Sequence, residues 1–164
     1  MWSAEWWSMK ARDKVSPFPV FRRYIPGDID DLDLHPCFEG DDGCRERCAA
    51  IAAQSQLGVA YTILDESGTP LAVAGGFFLY SKVLEIWTLV DKRMVERPKF
   101  YSHAIKFLLE HQFDMLQLDR MQVHLRADQP WTERWGKFLG FEIEGTLKKY
   151  GEEGVDYFLF AKVR

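Results

Sequence analysis

From Val20 onward the apolar positions switch between a two-residue period and a three-to-four-residue period, and the switches mark out the elements. Val20 to Tyr24 reads as a short strand. Pro26-Gly27-Asp28 reads as a helix start, with Asp28 able to cap the helix after it. Asp41-Asp42 opens a second helix that runs through Arg45, Cys48 and Ile51 to about Gln54. Gly58 to Leu64 and Leu71 to Phe78 are apolar strands joined by Asp65-Glu66-Ser67-Gly68-Thr69-Pro70, a hairpin turn by composition. Val83 to Val90 adds a third strand and completes an antiparallel meander.

A loop at Asp91-Lys92-Arg93 leads into an amphipathic helix starting near Pro98, with Tyr101, Ile105, Leu108, Leu109 and Phe113 at helical spacing. Strand, helix and strand in that order predict a right-handed crossover into a parallel strand at Met121 to Leu125. Trp131 to Leu139 follows as an aromatic-rich helix stopped by Gly140. Phe141 to Tyr150 and Asp156 to Val163 close the chain as a hairpin about Gly151-Glu152-Glu153-Gly154. Residues 1–19 stand apart as an aromatic and basic extension to a domain at 20–164: Trp2, Trp6 and Trp7, then Lys10, Arg12 and Lys14, then Pro17 and Pro19. Such a segment either folds back over an apolar surface or docks on a partner.

Composition narrows the function classes. At 164 residues the chain suits one domain, and 15% aromatic residues imply a ring-rich core or an exposed aromatic surface. A net charge of -4, with only a short basic run from Lys92 to Lys99, argues against nucleic acid as a partner. Three cysteines (Cys37, Cys44 and Cys48) cannot all pair with one another, which fits a reducing cytoplasm. Cys44 and Cys48 have the spacing of half a metal site, but no second half is evident, so no metal is expected. No run reaches the ~20 apolar residues of a membrane span, and no apolar signal core precedes a cleavage site.

The order of elements, with Trp135-Gly136-Lys137-Phe138-Leu139-Gly140-Phe141-Glu142-Ile143-Glu144-Gly145, Lys148-Lys149-Tyr150-Gly151 and Asp156-Tyr157, resembles the GCN5-related N-acetyltransferase (GNAT) family over Val20 to Val163. It looks most like the small GNAT-like proteins of tailed phages and prophages, including the internal virion protein A type. The resemblance implies a single-domain α/β (α+β) fold: a mixed, mostly antiparallel sheet with helices on both faces. It also implies acetyl-CoA held where the fourth strand splays from the fifth, a primary amine as acceptor, and Val90, Lys92, Arg93, Arg97, His103 and Gln129 around the cofactor. A homodimer is compatible with it. For a general base the fourth strand offers Glu85 and the fifth His124. Glu85 shares a strand face with Trp87 and Leu89, and His124 shares one with Gln122 and Arg126.

Two positions depart from the family pattern. The family places Gln or Arg, two residues, Gly, one residue, then Gly or Ala at the start of the long helix, and these fall on Phe100, His103 and Ile105. No glycine occurs between Gly76 and Gly136. Tyr101 and His103 are therefore expected to obstruct the pyrophosphate, and the cleft to be narrower than in active relatives. Many members place a proton-donating Tyr four residues before the Gly of Gly-Phe, where this chain has Gly136. The Asn that often begins that helix corresponds to Gln129, and the usual Ala to Thr132; Tyr101, Tyr150 and Tyr157 are the nearest alternative phenols in sequence. Two functions are compatible with this pattern: an acetyltransferase, or a non-catalytic protein of virion assembly that binds a virion or host protein through the Trp-rich extension. Residence is accordingly cytoplasmic or in the virion.

Overall fold

The meander expected from the strand periodicity forms the larger half of the sheet. The computed structural model describes residues 20–36, 43–53, 58–151 and 154–164, so the readings on residues 1–19, Cys37, Asp41-Asp42, Gln54 and Glu152-Glu153 lie outside it. Strands β1 (Val20–Arg23), β2 (Gly58–Leu64), β3 (Pro70–Tyr80) and β4 (Val83–Val90) pair antiparallel in chain order. Helix α1 (Cys44–Ala53) lies between β1 and β2 in the chain. After a 3-10 turn at Lys92–Glu96, helix α2 (Pro98–Met115) crosses over to β5 (Arg120–Arg126), which lies parallel to β4. Helix α3 (Thr132–Phe138) then leads to β6 (Glu142–Leu147) and β7 (Tyr157–Val163). The seven strands form one sheet in the order β1-β2-β3-β4-β5-β7-β6, with β7 seated between β5 and β6.

Each face of the sheet has its own apolar layer. Ile63, Leu84, Ile105, Phe113, Met121 and Phe160 are among the residues packed under α2 and α3, while Ile29, Leu32, Cys44, Val73 and Leu89 pack under α1 and the turns after β1. Alternation along the strands decides which side chain goes where: Leu84 enters the first layer, whereas Leu89 and Trp87 belong to the second.

The helix expected from Asp28 does not form. Residues 26–31 make successive turns, with Asp30 N–H and Asp31 N–H both bonded to the Gly27 carbonyl. The reason lies in what Asp28 meets. Its carboxylate takes two hydrogen bonds of 2.6 Å from the Arg22 guanidinium, one from the Thr62 hydroxyl and one from the Ile25 amide. A carboxylate held by a guanidinium and a strand hydroxyl ties the turns to β1 and β2, and so does not cap a helix ahead of it.

Asp28 is only 4% exposed and Asp91 is fully buried. Burial alone would push both carboxyls up. Asp28's bonds from Arg22, Thr62 and Ile25, and Asp91's from Arg93 and the Asp33 amide, more than reverse this and hold both below the ordinary carboxylate range. A carboxyl depressed in the folded state adds stability above its unfolded pKa of about 3.9 and loses it as pH falls through the folded value. Denaturant midpoints are therefore expected to be flat near neutrality and to drop below about pH 4. Asp28→Asn should lower the midpoint at pH 7 and reduce its acid slope. An unchanged slope would remove Asp28 from this account.

Gly140 stops α3 as expected, and the geometry shows why a glycine is needed. Its φ is +92°, a left-handed conformation that costs glycine nothing. The Gly140 amide bonds the Lys137 carbonyl and the Phe141 amide reaches back to Gly136, the paired bonds of a Schellman cap. The turn delivers Phe141 into the core, where it is 2% exposed.

Candidate functional site

The site begins where the sheet comes apart. β4 and β5 are in register at only three pairs: Val83 with Arg120, Leu84 with Met121 and Glu85 with Gln122. Beyond them β4 stays with β3 as far as Val90, and β5 stays with β7 as far as Arg126. The two strands thus part, and a cavity of about 1200 Å³ opens between them, running from α1 on one face to α2 and α3 on the other. Its size exceeds the few hundred to about 1000 Å³ of ordinary small-ligand pockets.

The parting leaves main-chain groups of β4 without a strand partner. The Asp91 amide points to β3, where it bonds the Leu71 carbonyl, while the Val90 carbonyl points the other way and accepts from His35 N–H. Strand alternation places the N–H and C=O of Thr88 on that same open edge. An amide-bearing ligand lying in the cleft would add to this edge as a short strand does.

At the apex, Glu85 and His124 are brought together. His124 Nδ1 lies 2.7 Å from Glu85 Oε1, and the Gln122 amide donates to Glu85 Oε2 at 2.7 Å. Both carboxylate oxygens are engaged, and Glu85 is 8% exposed. The Tyr150 ring stands 5.0 Å from the His124 ring and 5.6 Å from that of Tyr157, so one phenol borders the pair and a second stands behind it. All four residues line the cavity.

On the opposite face the cavity meets the start of α2. Pro98, Lys99, Ser102 and His103 line it. Arg97 occupies the cap position without a side-chain cap, and Pro98 at the first helical position carries no N–H, so the free donors of this turn begin with the Lys99 and Phe100 amides. Tyr101 does not stand in this seat: it is 8% exposed and belongs to the core under α2. His103 does, with Nδ1 donating to the Lys99 carbonyl at 2.7 Å and its ring edge-on to Phe138.

The remaining cofactor candidates divide. Val90 and Gln129 line the cavity with His103, whereas Lys92, Arg93 and Arg97 lie on the turn ahead of α2, outside the lining. Arg93 is bonded to Asp91, to the Pro70 carbonyl and to Asp65, tying this turn to the β2–β3 hairpin. Lys92 pairs with Asp33, and Arg97 stacks over Phe100 at 4.3 Å. Cys44 is buried and Cys48 half-buried, and among the described residues no group of three or more His, Cys, Asp or Glu is placed to hold a metal.

Gly136 faces away from the cavity. A Cβ built on it would lie 2.4 Å from Cε1 of Phe160, because α3 rests directly on that ring. The neighbouring Trp135 turns toward the cleft, its indole N–H donating to the Ser102 hydroxyl at 3.1 Å and its ring edge-on to Trp131. Gln122, Trp131, Trp135 and Ser102 went unassigned in the sequence. Only Gln122 carried a usable signal, since it shares the strand face of His124.

The architecture matches solved acetyltransferases over nearly their whole length. A candidate phosphinothricin N-acetyltransferase superposes with a TM-score of 0.72 at 13% identity, covering 88% of this chain and 98% of the other. An acetyltransferase of the GNAT family from Bacillus anthracis gives 0.68 at 14% identity, covering 92% and 96%. The chain has the GNAT fold. A spermidine/spermine N-acetyltransferase from Vibrio cholerae matches similarly, with a TM-score of 0.67, 12% identity and 92% and 95% coverage. No protein-family model matches the sequence, and no curated protein does. Identities this low carry the GNAT architecture and leave the chemistry to the residues of the cleft. No helix among the described residues is long and apolar enough to cross a membrane.

Proposed function

We propose that the protein is an N-acyltransferase that moves an acetyl group from CoA to a primary amine. The observation that carries this reading is the parting of β4 from β5 immediately beyond the Glu85–His124 pair. Acetyl-CoA supplies a thioester with an electrophilic carbonyl carbon. The open edge of β4 at Thr88 suits the amides of its pantetheine arm, while Lys99, His103 and the first free amides of α2 suit its phosphates. The site fits the cofactor without a glycine nest, and the Lys99 ammonium with the His103 ring stands in for it.

The acceptor amine reaches the pair from the α1 face, where Phe77, Trp87, Tyr150 and Tyr157 form the walls. Such walls suit an amine with an apolar body, and the ring faces favour its ammonium before it is deprotonated. Glu85 and His124 take the proton from that ammonium and leave the lone pair able to attack. The departing thiolate needs a proton in turn. Gly136 has none to give, and Tyr150 is the phenol ringed against His124.

Calorimetry tests the cofactor half directly. Acetyl-CoA and CoA are expected to bind in the micromolar range, and Lys99→Ala with His103→Ala should weaken binding by about tenfold or more, the loss of one charge-assisted contact or two. No heat at millimolar cofactor would sink the reading.

A second reading takes the narrower resemblance to phage GNAT-like proteins: a non-catalytic protein of virion assembly, binding a virion or host protein through Trp2, Trp6 and Trp7 of the 1–19 extension. The side chains of Phe100 and His103 where the family has Gln or Arg and then Gly, and the closure of Gly136 on Phe160, favour it. On that reading the calorimeter stays silent, while deletion of residues 1–19 changes partner capture or assembly state.

A further inference from the structure

The Glu85–His124 pair is the end of a longer polar chain across the α1 face of the sheet. Glu144 on β6 holds the Arg120 guanidinium through both carboxylate oxygens, at 3.0 and 2.6 Å. Arg120 Nε donates to Gln122 Oε1 at 2.6 Å, and Gln122 Nε2 donates to Glu85 Oε2 at 2.7 Å. Glu85 Oε1 then meets His124 Nδ1. A side-chain amide has distinct donor and acceptor ends, and a guanidinium can only donate. Arg120 therefore fixes which way the Gln122 amide points, and the amide turned that way must offer N–H to Glu85.

We propose that Gln122, oriented by Arg120, is a positioning residue that holds Glu85 so that His124 keeps its proton on Nδ1 and presents Nε2 to the cleft as the proton-accepting atom. The inference rests on the acyl-transfer reading for its purpose, but not for its geometry. With one carboxylate oxygen occupied by Gln122, the other is aimed at Nδ1, and a carboxylate accepts only from a protonated nitrogen. Glu85 is on this view the orienting group and His124 the group that meets the ammonium. Of the other groups, the Tyr150 phenol stands against His124 and Tyr157 against Tyr150, while Arg126, which pairs with Asp128, and Arg47 of α1 line the same cavity. None of these supplies the orienting carboxylate.

Imidazole NMR of the full chain with nitrogen-15 histidine reads the tautomer, with the His124 signals identified by their loss in His124→Ala. Above the imidazole titration range, neutral His124 is expected as the Nδ1–H form. Gln122→Leu should move a measurable share to the Nε2–H form that an unpartnered imidazole prefers. Arg120→Met, which leaves the Gln122 amide able to flip, should do the same to a smaller extent and add nothing in the Gln122→Leu background. On turnover, Gln122→Leu should lower kcat on the order of tenfold with little change in KM for acetyl-CoA, the signature of a misplaced base. A His124 signal of Nε2–H type in the unmodified protein, or tautomer ratios unmoved in both variants, overturns the proposal. The expected tautomer response without turnover supports the positioning role and counts against acyl transfer alone.

Discussion

Gly136→Tyr, which restores the tyrosine of the family pattern, is expected to cost the protein its native fold without providing a proton donor. The first atom of the new side chain would lie 2.4 Å from Cε1 and 2.7 Å from Cζ of Phe160, a ring that is fully buried. Neither side can yield cheaply. α3 is anchored just beyond by the bonds of Gly140 and Phe141, and Phe160 sits on β7 between two paired strands. Ordinary overpacking costs about 1–3 kcal/mol, and a whole phenol at this distance should exceed that. Gly136→Ala isolates the first contact. Its gain in helix propensity of roughly 1 kcal/mol should be outweighed, giving a net loss of about 1–3 kcal/mol by chemical denaturation. Partial recovery in a Gly136→Ala, Phe160→Val double variant would tie the loss to this contact. Equal stability of Gly136→Ala and the unmodified protein would show that the ring moves aside.

His124→Ala should carry the largest effect on turnover, a fall of about 10²- to 10⁴-fold in kcat, the ordinary contribution of a positioned proton-transfer group. Glu85→Gln should fall less, because an amide oxygen still accepts from Nδ1–H while lacking the charge that steadies the imidazolium. Binding of CoA should survive both changes, since the pair lies on the α1 face and the phosphate seat on the other. The decisive comparison is single-turnover acetyl transfer to an apolar primary amine alongside CoA calorimetry. Turnover within about threefold of the unmodified protein in His124→Ala, with binding intact, would remove this residue from the chemistry.

Legibility in the sequence tracks the reach of the interactions. The meander and α2 were legible because alternation and helical spacing are local, and β3 and β4 then pair by a short turn. Gly140 was legible for the same reason, its left-handed turn being set by its immediate neighbours. Asp28 does not cap a helix because Arg22 takes two of its bonds and Thr62, 34 residues away, a third, and the sequence around Asp28 announces neither. The resemblance puts Arg93 beside the cofactor, but its bonds reach Asp65 and Pro70 on a hairpin that nothing near it in the chain announces. The Glu85–His124 contact was hidden more deeply. Each residue was chosen for its chemistry and its strand, yet their meeting depends on the parallel register that sets Glu85 opposite Gln122. Parallel register is decided by how α2 packs, and no pattern in either strand states it.

The three-pair junction between β4 and β5 has a consequence for how the chain assembles. Every other strand contact in the sheet is antiparallel, and several close through short turns. The parallel junction joins residues 37 apart, such as Gln122 and Glu85, with α2 in the connection. β1 closes onto β2 over a loop of similar length, but with four register pairs against three, so the β4–β5 junction gains the fewest ladder bonds for its loop. The two halves are thus expected to acquire protected amides early and to be joined last, which pulse-labelled hydrogen exchange during refolding would show as late protection at β4–β5. The cleft is then the final thing to exist as the molecule matures, where two neighbouring strands inside the sheet leave their ladder unfinished.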